Sequence, residues 1–319
     1  MRLLITGASG LLGLNLAVDA SRAHAVTGVV RANLFGAPFA VIQSDLLEPR
    51  AVDMVLEQVQ PEAVIHCAAI ADVDLCERDA DLARATNAEL PGRLAESCLR
   101  RRIRLVHIST DAVFDGQKAG SYSELDSPNP TGVYALSKYE GEQAVLSIDP
   151  LAIVARVNFY GWSLSGRRSL AEFFVDNLSH GNMVSGFTDV TFCPMLANNL
   201  GVLLVMMVKA KLHGIYHVVG PEAMTKYQFG VEIARRFGLD ERRIQALSVD
   251  RSNLSARRAH NLWLSTQKLS TELGITLPEF STGLAQFYEQ YRQGYPQKIR
   301  SYQQGAGTRP PAAPSSKER

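Results

Sequence analysis

A short apolar run, Arg2-Leu-Leu-Ile-Thr6, passes directly into Gly7-Ala-Ser-Gly10-Leu-Leu-Gly13, and then into a segment with apolar positions at Leu14, Leu16, Ala17 and Val18. Strand, glycine turn and helix in that order allow few folds: the strand must be buried in a parallel sheet, with the helix packed back across it. Gly7 permits the tight turn, Gly10 lets the backbone approach a pyrophosphate, and Gly13 lets the helix lie close to the strand. The helix N-terminus offers free N–H groups and a positive dipole end to phosphates. Ser9, Leu11 and Leu12 between the glycines complete the candidate dinucleotide-binding turn. Its spacing, G-x-x-G-x-x-G, places the second glycine one residue later than the commoner G-x-G-x-x-G. The run before the turn is too short for a signal peptide and has no small-residue cleavage site.

The rest of the chain repeats the alternation. Strands are expected at His24–Val30, Phe39–Gln43, Ala63–Cys67, Ile103–Ser109 and Leu151–Val157, with a long helix from Asp81 to Arg101 and another from Tyr134 to Ser147. Such alternation predicts an α/β fold with helices on both faces of a parallel sheet. Residues 1–158 form the expected dinucleotide-binding domain, its sheet completed by parts of 194–220, where Gly214–Val218 is apolar. Residues 159–193 and 221–295 form a smaller substrate-binding subdomain, and 296–319, rich in Gly, Pro and Ser, read as a disordered tail. After the second strand stands Arg31, where NAD-binding units usually carry an acidic residue for the ribose. Its guanidinium suits a 2′-phosphate, so NADP(H) is expected, with NAD(H) as the alternative. Asp45 and Leu46, after the third strand, are placed beside the adenine, although Asp45 could equally cap the following helix.

Composition narrows the function class. The net charge is +1, and the one local basic run, Arg100-Arg101-Arg102 with Arg104, reads most simply as complementing the dipole at the end of an amphipathic helix, which argues against nucleic-acid binding as the main task. The four cysteines (Cys67, Cys76, Cys98, Cys193) are scattered, which fits a reducing cytoplasm and neither a disulfide framework nor a metal site. The longest apolar segment, Leu196–Val208, is interrupted by Asn198, Asn199 and Gly201, so no membrane span is expected.

Tyr134 and Lys138 stand four residues apart, on one helix face. A neighbouring positive charge favours a phenolate, so the pair could exchange a proton with a sugar or alcohol oxygen. Ser109-Thr110-Asp111 ends an apolar strand and supplies a hydroxyl for the same oxygen. An i, i+4 Tyr/Lys couple alone is usually an exposed helix face, and it gains meaning here from the glycine turn.

Four blocks together resemble the extended short-chain dehydrogenase/reductases, in particular the dTDP-4-dehydrorhamnose reductase-like branch. They are Gly7–Gly13; Val64–Ala69 with Ala71–Glu77; His107–Gly116; and Tyr134–Glu142. Looser matches at Arg156–Trp162, Phe192–Pro194 and Gly214–Gly220 extend the resemblance over roughly residues 1 to 290. It implies a Rossmann-type doubly wound sheet and a catalytic set of Thr110, Tyr134 and Lys138. Tyr134 is then the proton donor, Lys138 binds the nicotinamide ribose and lowers the Tyr134 pKa, and Thr110 hydrogen-bonds the carbonyl. Cys67, Ala68, Ala69 and Ser109 would line the cofactor. Asn87 would steady neighbouring loops, and His66 would be a core histidine.

The implied reaction is NADPH-dependent reduction of a nucleotide-linked 4-keto-6-deoxysugar. Ala112 stands where reductases commonly have Tyr and where 4,6-dehydratases carry an acid, which disfavours dehydration. Phe192-Cys193-Pro194 replaces smaller polar residues, so sugar recognition there is expected to differ. Arg167 and Arg168 are candidates to contact a diphosphate. Two other readings stay open: a nucleotide-sugar epimerase retaining NAD, and a non-catalytic NADP-binding subunit like the methionine adenosyltransferase regulatory β subunit. A homodimer is compatible with the pattern.

Overall fold

The structure, a computed structural model, describes residues 1–251 and 259–303. Seven strands build the main sheet: β1 (Arg2–Thr6), β2 (Ala25–Val30), β3 (Ala40–Gln43), β4 (Ala63–His66), β5 (Arg104–Thr110), β6 (Ile153–Val157) and β7 (Gly214–Val218). Their order is β7-β6-β5-β4-β1-β2-β3, and every neighbouring pair is parallel. The chain direction across the sheet reverses between β1 and β4, which opens a crevice at their C-terminal ends. Gly214–Val218 does return to the sheet, beside β6.

Alternate residues of each strand point to opposite faces, and both faces are apolar. Leu3, Ile5, Ile65 and Val106 join one cluster, while Leu4, Val64, Leu105 and Val154 join another. The first is covered by α1 (Leu11–Ala20), and the second by α2 (Ala51–Val59), α3 (Leu90–Arg101) and α4 (Val133–Ile148). Further along, α5 (Leu170–Ser179) and α6 (Ala197–Lys209) add to the first face. Two buried faces explain why the strands read as continuous apolar runs.

Two expectations need amending. The helix expected over Asp81–Arg101 is present as one helical run, but it widens into a π-type turn at Ala85–Glu89 between Ala80–Arg84 and α3. Pro91 has no N–H to offer the Asn87 carbonyl one turn earlier, so the regular ladder cannot close there. The turn aims Asn87 inward, where it donates to the Ile70 carbonyl (3.0 Å) and Ser137 (3.1 Å) and accepts from the Ile70 amide (2.9 Å). Second, residues 296–303 are not tail. Tyr295–Ser301 is helical, Pro296, Ile299 and Tyr302 are buried, and the Phe35 amide donates to the Tyr302 carbonyl (2.8 Å). The apolar spacing of Ile299 and Tyr302 is what anchors this segment. The remainder of the expected tail, 304–319, lies outside the described residues.

The C-terminal part carries three small sheets. Val184–Phe187 pairs with Ile244–Leu247, Thr191–Phe192 lies between Met224–Thr225 and Asn261–Leu262, and Phe159–Tyr160 pairs with Met195–Leu196. Trp162, Phe174, Phe229 and Phe287 belong to the same apolar cluster as Leu3 and Ile5, so this part shares its core with the main sheet. Among the described residues no helix is long and apolar enough to cross a membrane.

Ile299→Ala is expected to destabilise the protein by about 2–5 kcal/mol in urea unfolding, the range for truncating a buried aliphatic side chain. A change within a few tenths of a kcal/mol would return this segment to a loose tail.

Candidate active site and dinucleotide groove

The glycine turn follows from close approach. Gly7 has a left-handed backbone (φ +65°), and a Cβ there would lie 2.7 Å from the Ala68 Cα. A Cβ on Gly13 would collide with the Gly7 carbonyl. The Gly10 amide donates to the Gly7 carbonyl (2.8 Å), and Gly10 itself starts α1. No side chain caps this helix start, and its first turn has no acidic residue. The N–H groups of Leu11, Leu12 and Gly13 are therefore left without intrahelical partners, at the positive end of the dipole. Leu11 and Leu12 contribute only backbone, because their side chains lie in the core.

A groove of about 140 Å³ runs along this turn. It gathers Gly7, Ser9 and Gly10 with Arg31, Asp45 and Leu46 from the ends of β2 and β3, and Cys67, Ala68 and Ala69 from the end of β4. Thr86 and Arg168 line it as well. Asp45 turns its carboxylate to the Leu47 amide (3.0 Å), a local turn rather than a helix cap. Ser109 does not line the groove. Its hydroxyl donates to Glu142 (2.5 Å), a carboxylate paired with Arg156 (2.7 Å), all of them buried.

A second, larger cavity of about 870 Å³ lies over the C-terminal end of β5. Thr110, Asp111 and Ala112 form its floor, Tyr134 and Asn158 one wall, and Val190, Phe192, Lys226 and Leu262 the C-terminal wall. Tyr134 sits in the first turn of α4, whose start is held by Glu77 accepting the Val133 amide (2.8 Å). Burial pushes the Tyr134 phenol up to about 12, against a hydrogen bond with Thr110 that pulls the other way. Thr110 also accepts from the Ala112 amide (3.2 Å) and donates to Asp111 (3.1 Å), so it shapes the strand-end turn as well.

Lys138 is almost fully buried, lines neither the cavity nor the groove, and donates to the Ile108 carbonyl (2.6 Å). Burial brings its ammonium down to about 8, although Glu142 favours the charge. The helix thus puts Tyr134 and Lys138 on one face, but Lys138 is not among the groups that shift Tyr134. The expected lowering of the tyrosine is absent here: desolvation wins, and the phenol is a neutral acid. His66 is a core residue, bonded to Thr6 (2.6 Å) and stacked on His107 at 5.6 Å.

Sequence reasoning missed Asn158, Lys226 and Asp111. Asn158 donates to Asp111 (2.5 Å). Burial raises the Asp111 carboxyl to about 6, opposed by the Asn158 and Thr110 hydrogen bonds. Asp111 was visible as part of the Ser-Thr-Asp block. Nothing local marks Asn158 or Lys226, which are brought in by the fold.

A groove at an uncapped helix start, together with a cavity lined by Thr110 and Tyr134 on the same parallel sheet, is the arrangement of an extended short-chain dehydrogenase/reductase, the class to which the relatives below belong. The chain belongs to the family described as RmlD substrate binding domain, whose model matches residues 1–293. It is 34% identical over 288 residues to the probable low-salt glycan biosynthesis reductase Agl14 of Haloferax volcanii, covering 88% of this chain and 95% of that protein. It is 33% identical over 290 residues to the methionine adenosyltransferase 2 subunit beta of Bos taurus, covering 86% and 83%. Among solved structures, a dTDP-4-dehydrorhamnose reductase from Clostridium acetobutylicum superposes with a TM-score of 0.79 at 26% identity, covering 92% of this chain and all of that one.

The raised Asp111 carboxyl gives a pH prediction. Folded Asp111 holds its proton up to about pH 6, and an unfolded aspartate only to about 3.8, so between these values the folded state binds more protons. Stability from this group therefore falls as pH rises through that window and stays low at neutral pH, an upper bound of about 3 kcal/mol. Asp111→Asn should accordingly be more stable than the parent at pH 7, with the advantage fading toward pH 4. Parallel stability–pH curves for the two proteins in urea unfolding would show that the acid is not buried in this way.

Proposed function

We propose that this chain is an NADPH-dependent reductase of a nucleotide-linked 4-keto-6-deoxysugar, with Thr110, Tyr134 and Lys138 as its catalytic set. The observation that supports this reading best is the place of Tyr134, which lines the large cavity together with Thr110 and stands one helical turn before the buried Lys138. A group that must deliver a proton has to hold it beforehand, and a phenol does so at neutral pH.

The groove fits the cofactor. The uncapped N–H groups at the start of α1 match a pyrophosphate. Arg31, exposed at the end of β2 with no acid in the ribose-binding position, suits a 2′-phosphate. When bound, a reduced nicotinamide supplies hydride to a carbonyl carbon. This chain's own residues handle the oxygen: the Thr110 hydroxyl turns its single proton from Asp111 to it, and Tyr134 transfers its phenolic proton, leaving a hydroxyl. Lys138, held from below by the Ile108 carbonyl, binds the nicotinamide ribose and offsets the charge left on Tyr134. Ala112 provides a methyl in the cavity lining at the position where the resembling dehydratases carry an acid, which disfavours dehydration.

The similarity to a methionine adenosyltransferase β subunit supports a second reading, a dinucleotide-binding regulatory subunit. Mixing the protein with NADPH and a panel of nucleotide-linked 4-ketosugars, while following the absorbance of the reduced cofactor, separates the two. Tight NADPH binding without oxidation by any sugar favours the regulatory subunit.

Tyr134→Phe is expected to lower turnover by roughly 10²–10⁴-fold, the usual worth of a positioned acid, with NADPH affinity nearly unchanged. Near-full turnover in that variant removes Tyr134 from the chemistry. Arg31→Ala should weaken NADPH binding and leave NADH binding as it was, measured by calorimetric titration. An unchanged NADPH-to-NADH ratio would place the 2′-phosphate elsewhere.

A further inference from the structure

Arg168 reaches the dinucleotide groove from the C-terminal part of the chain, where it lines the same cavity as Gly7, Ser9 and Gly10. Its neighbour Arg167 is exposed and does not line it. No carboxylate pairs with the Arg168 side chain among the described residues.

The turn that presents Arg168 is held from inside. Glu172 is 1% exposed, and its carboxylate accepts the Ser163 amide (2.7 Å), the Ser163 hydroxyl (2.7 Å), the Arg168 amide (3.0 Å) and the Ser169 amide (3.1 Å). The Ser169 hydroxyl in turn binds the Gly161 carbonyl (2.8 Å). This loop is also tied to the helix that follows the glycine turn. Asn15 of α1, fully buried, donates to the Leu11 carbonyl (2.7 Å) and to the Trp162 carbonyl (2.9 Å). The backbone of Arg168 is therefore fixed relative to the uncapped start of α1. A guanidinium on a fixed backbone that lines one groove with an uncapped helix start can bind a polyanion held there.

We infer that Arg168 binds the pyrophosphate of the dinucleotide at the glycine turn. This rests on the cofactor reading proposed above and adds a residue from the substrate-binding part to it. The groove's two arginines then divide the cofactor's phosphates, Arg31 taking the 2′-phosphate and Arg168 the diphosphate that NADPH and NADH share. Cofactor binding would thereby brace the loop at Ser163–Ser169 against α1.

The test is calorimetric titration of parent, Arg168→Ala and Arg168→Lys with NADPH and with NADH, at two salt concentrations. Arg168→Ala is expected to weaken both cofactors by the same factor, roughly ten- to a hundredfold for a lost charged hydrogen bond, and to reduce the salt dependence of binding. Arg168→Lys should recover part of the loss. The side chain is exposed, and an unchanged thermal transition of the free variant will show that the fold is kept. Parent-like affinity of Arg168→Ala for both cofactors overturns the inference. A loss confined to NADPH overturns it too, by moving Arg168 to the 2′-phosphate. A parent that binds neither cofactor overturns the cofactor reading itself, and with it this inference, and it is recognised without any variant.

Discussion

The geometry of the active site hangs on a buried polar joint between α4 and the sheet. Glu142 accepts the Ser109 hydroxyl of β5 and the Arg156 guanidinium of β6, while four residues earlier Lys138 reaches the Ile108 carbonyl. Gly141, between them, lets the helix close onto the Asn87 carbonyl, which a Cβ would strike. A buried ion pair is weak evidence for stability, because desolvation consumes much of its attraction. Its value here is directional. Carboxylate, guanidinium and ammonium must each meet a particular partner, and only one depth and rotation of α4 satisfies all three. Tyr134, one turn above Lys138, is thereby placed over the end of β5 beside Thr110.

The same joint explains an apparent conflict. Lys138 stands on the tyrosine's helix face, yet its charge is spent on a backbone carbonyl and on Glu142, not on the phenol. Burial acts on both groups toward neutrality, raising Tyr134 and lowering Lys138. On the proposed reading, in which Tyr134 gives up a proton, a phenol held neutral is loaded before the reaction. A tyrosine already ionised would have nothing to give.

Much of this fold could be read from the sequence because its signals are local. The glycine turn is set by contacts within a few residues of Gly7, and the strands by apolar runs that need no knowledge of their neighbours. Where reading failed, the cause was non-local or a missing atom. The wide turn at Ala85–Glu89 comes from one absent N–H at Pro91 and is rewarded only by partners at Ile70 and Ser137. The helix at Tyr295–Ser301 was hidden in a polar composition, its burial resting on Ile299 and Tyr302. Among the site residues, spacing placed Tyr134 and Lys138 on one face but could not say which groups each would touch. Ser109 was grouped with the cofactor by adjacency, yet its hydroxyl turns toward Glu142.

The substrate-facing wall is the least legible part, for a physical reason. Val190, Phe192, Lys226 and Leu262 sit in or beside two-residue strands, too short for any alternation to show. Such strands have little stability of their own, so their placement must come from what they pack against. That support is the shared core: Trp162 stacks on Phe287 at 4.1 Å, and Phe229 lies edge-on to Phe192 at 5.4 Å and to Tyr160 at 5.3 Å. Tyr295 adds a hydrogen bond to Asn15 of α1 (2.9 Å). One core therefore carries both the dinucleotide turn and the wall opposite Tyr134. Transfer between two bound molecules is sensitive to ångström-scale errors in their separation, and a chain that anchors the glycine turn and the large cavity to one core fixes the distance between them.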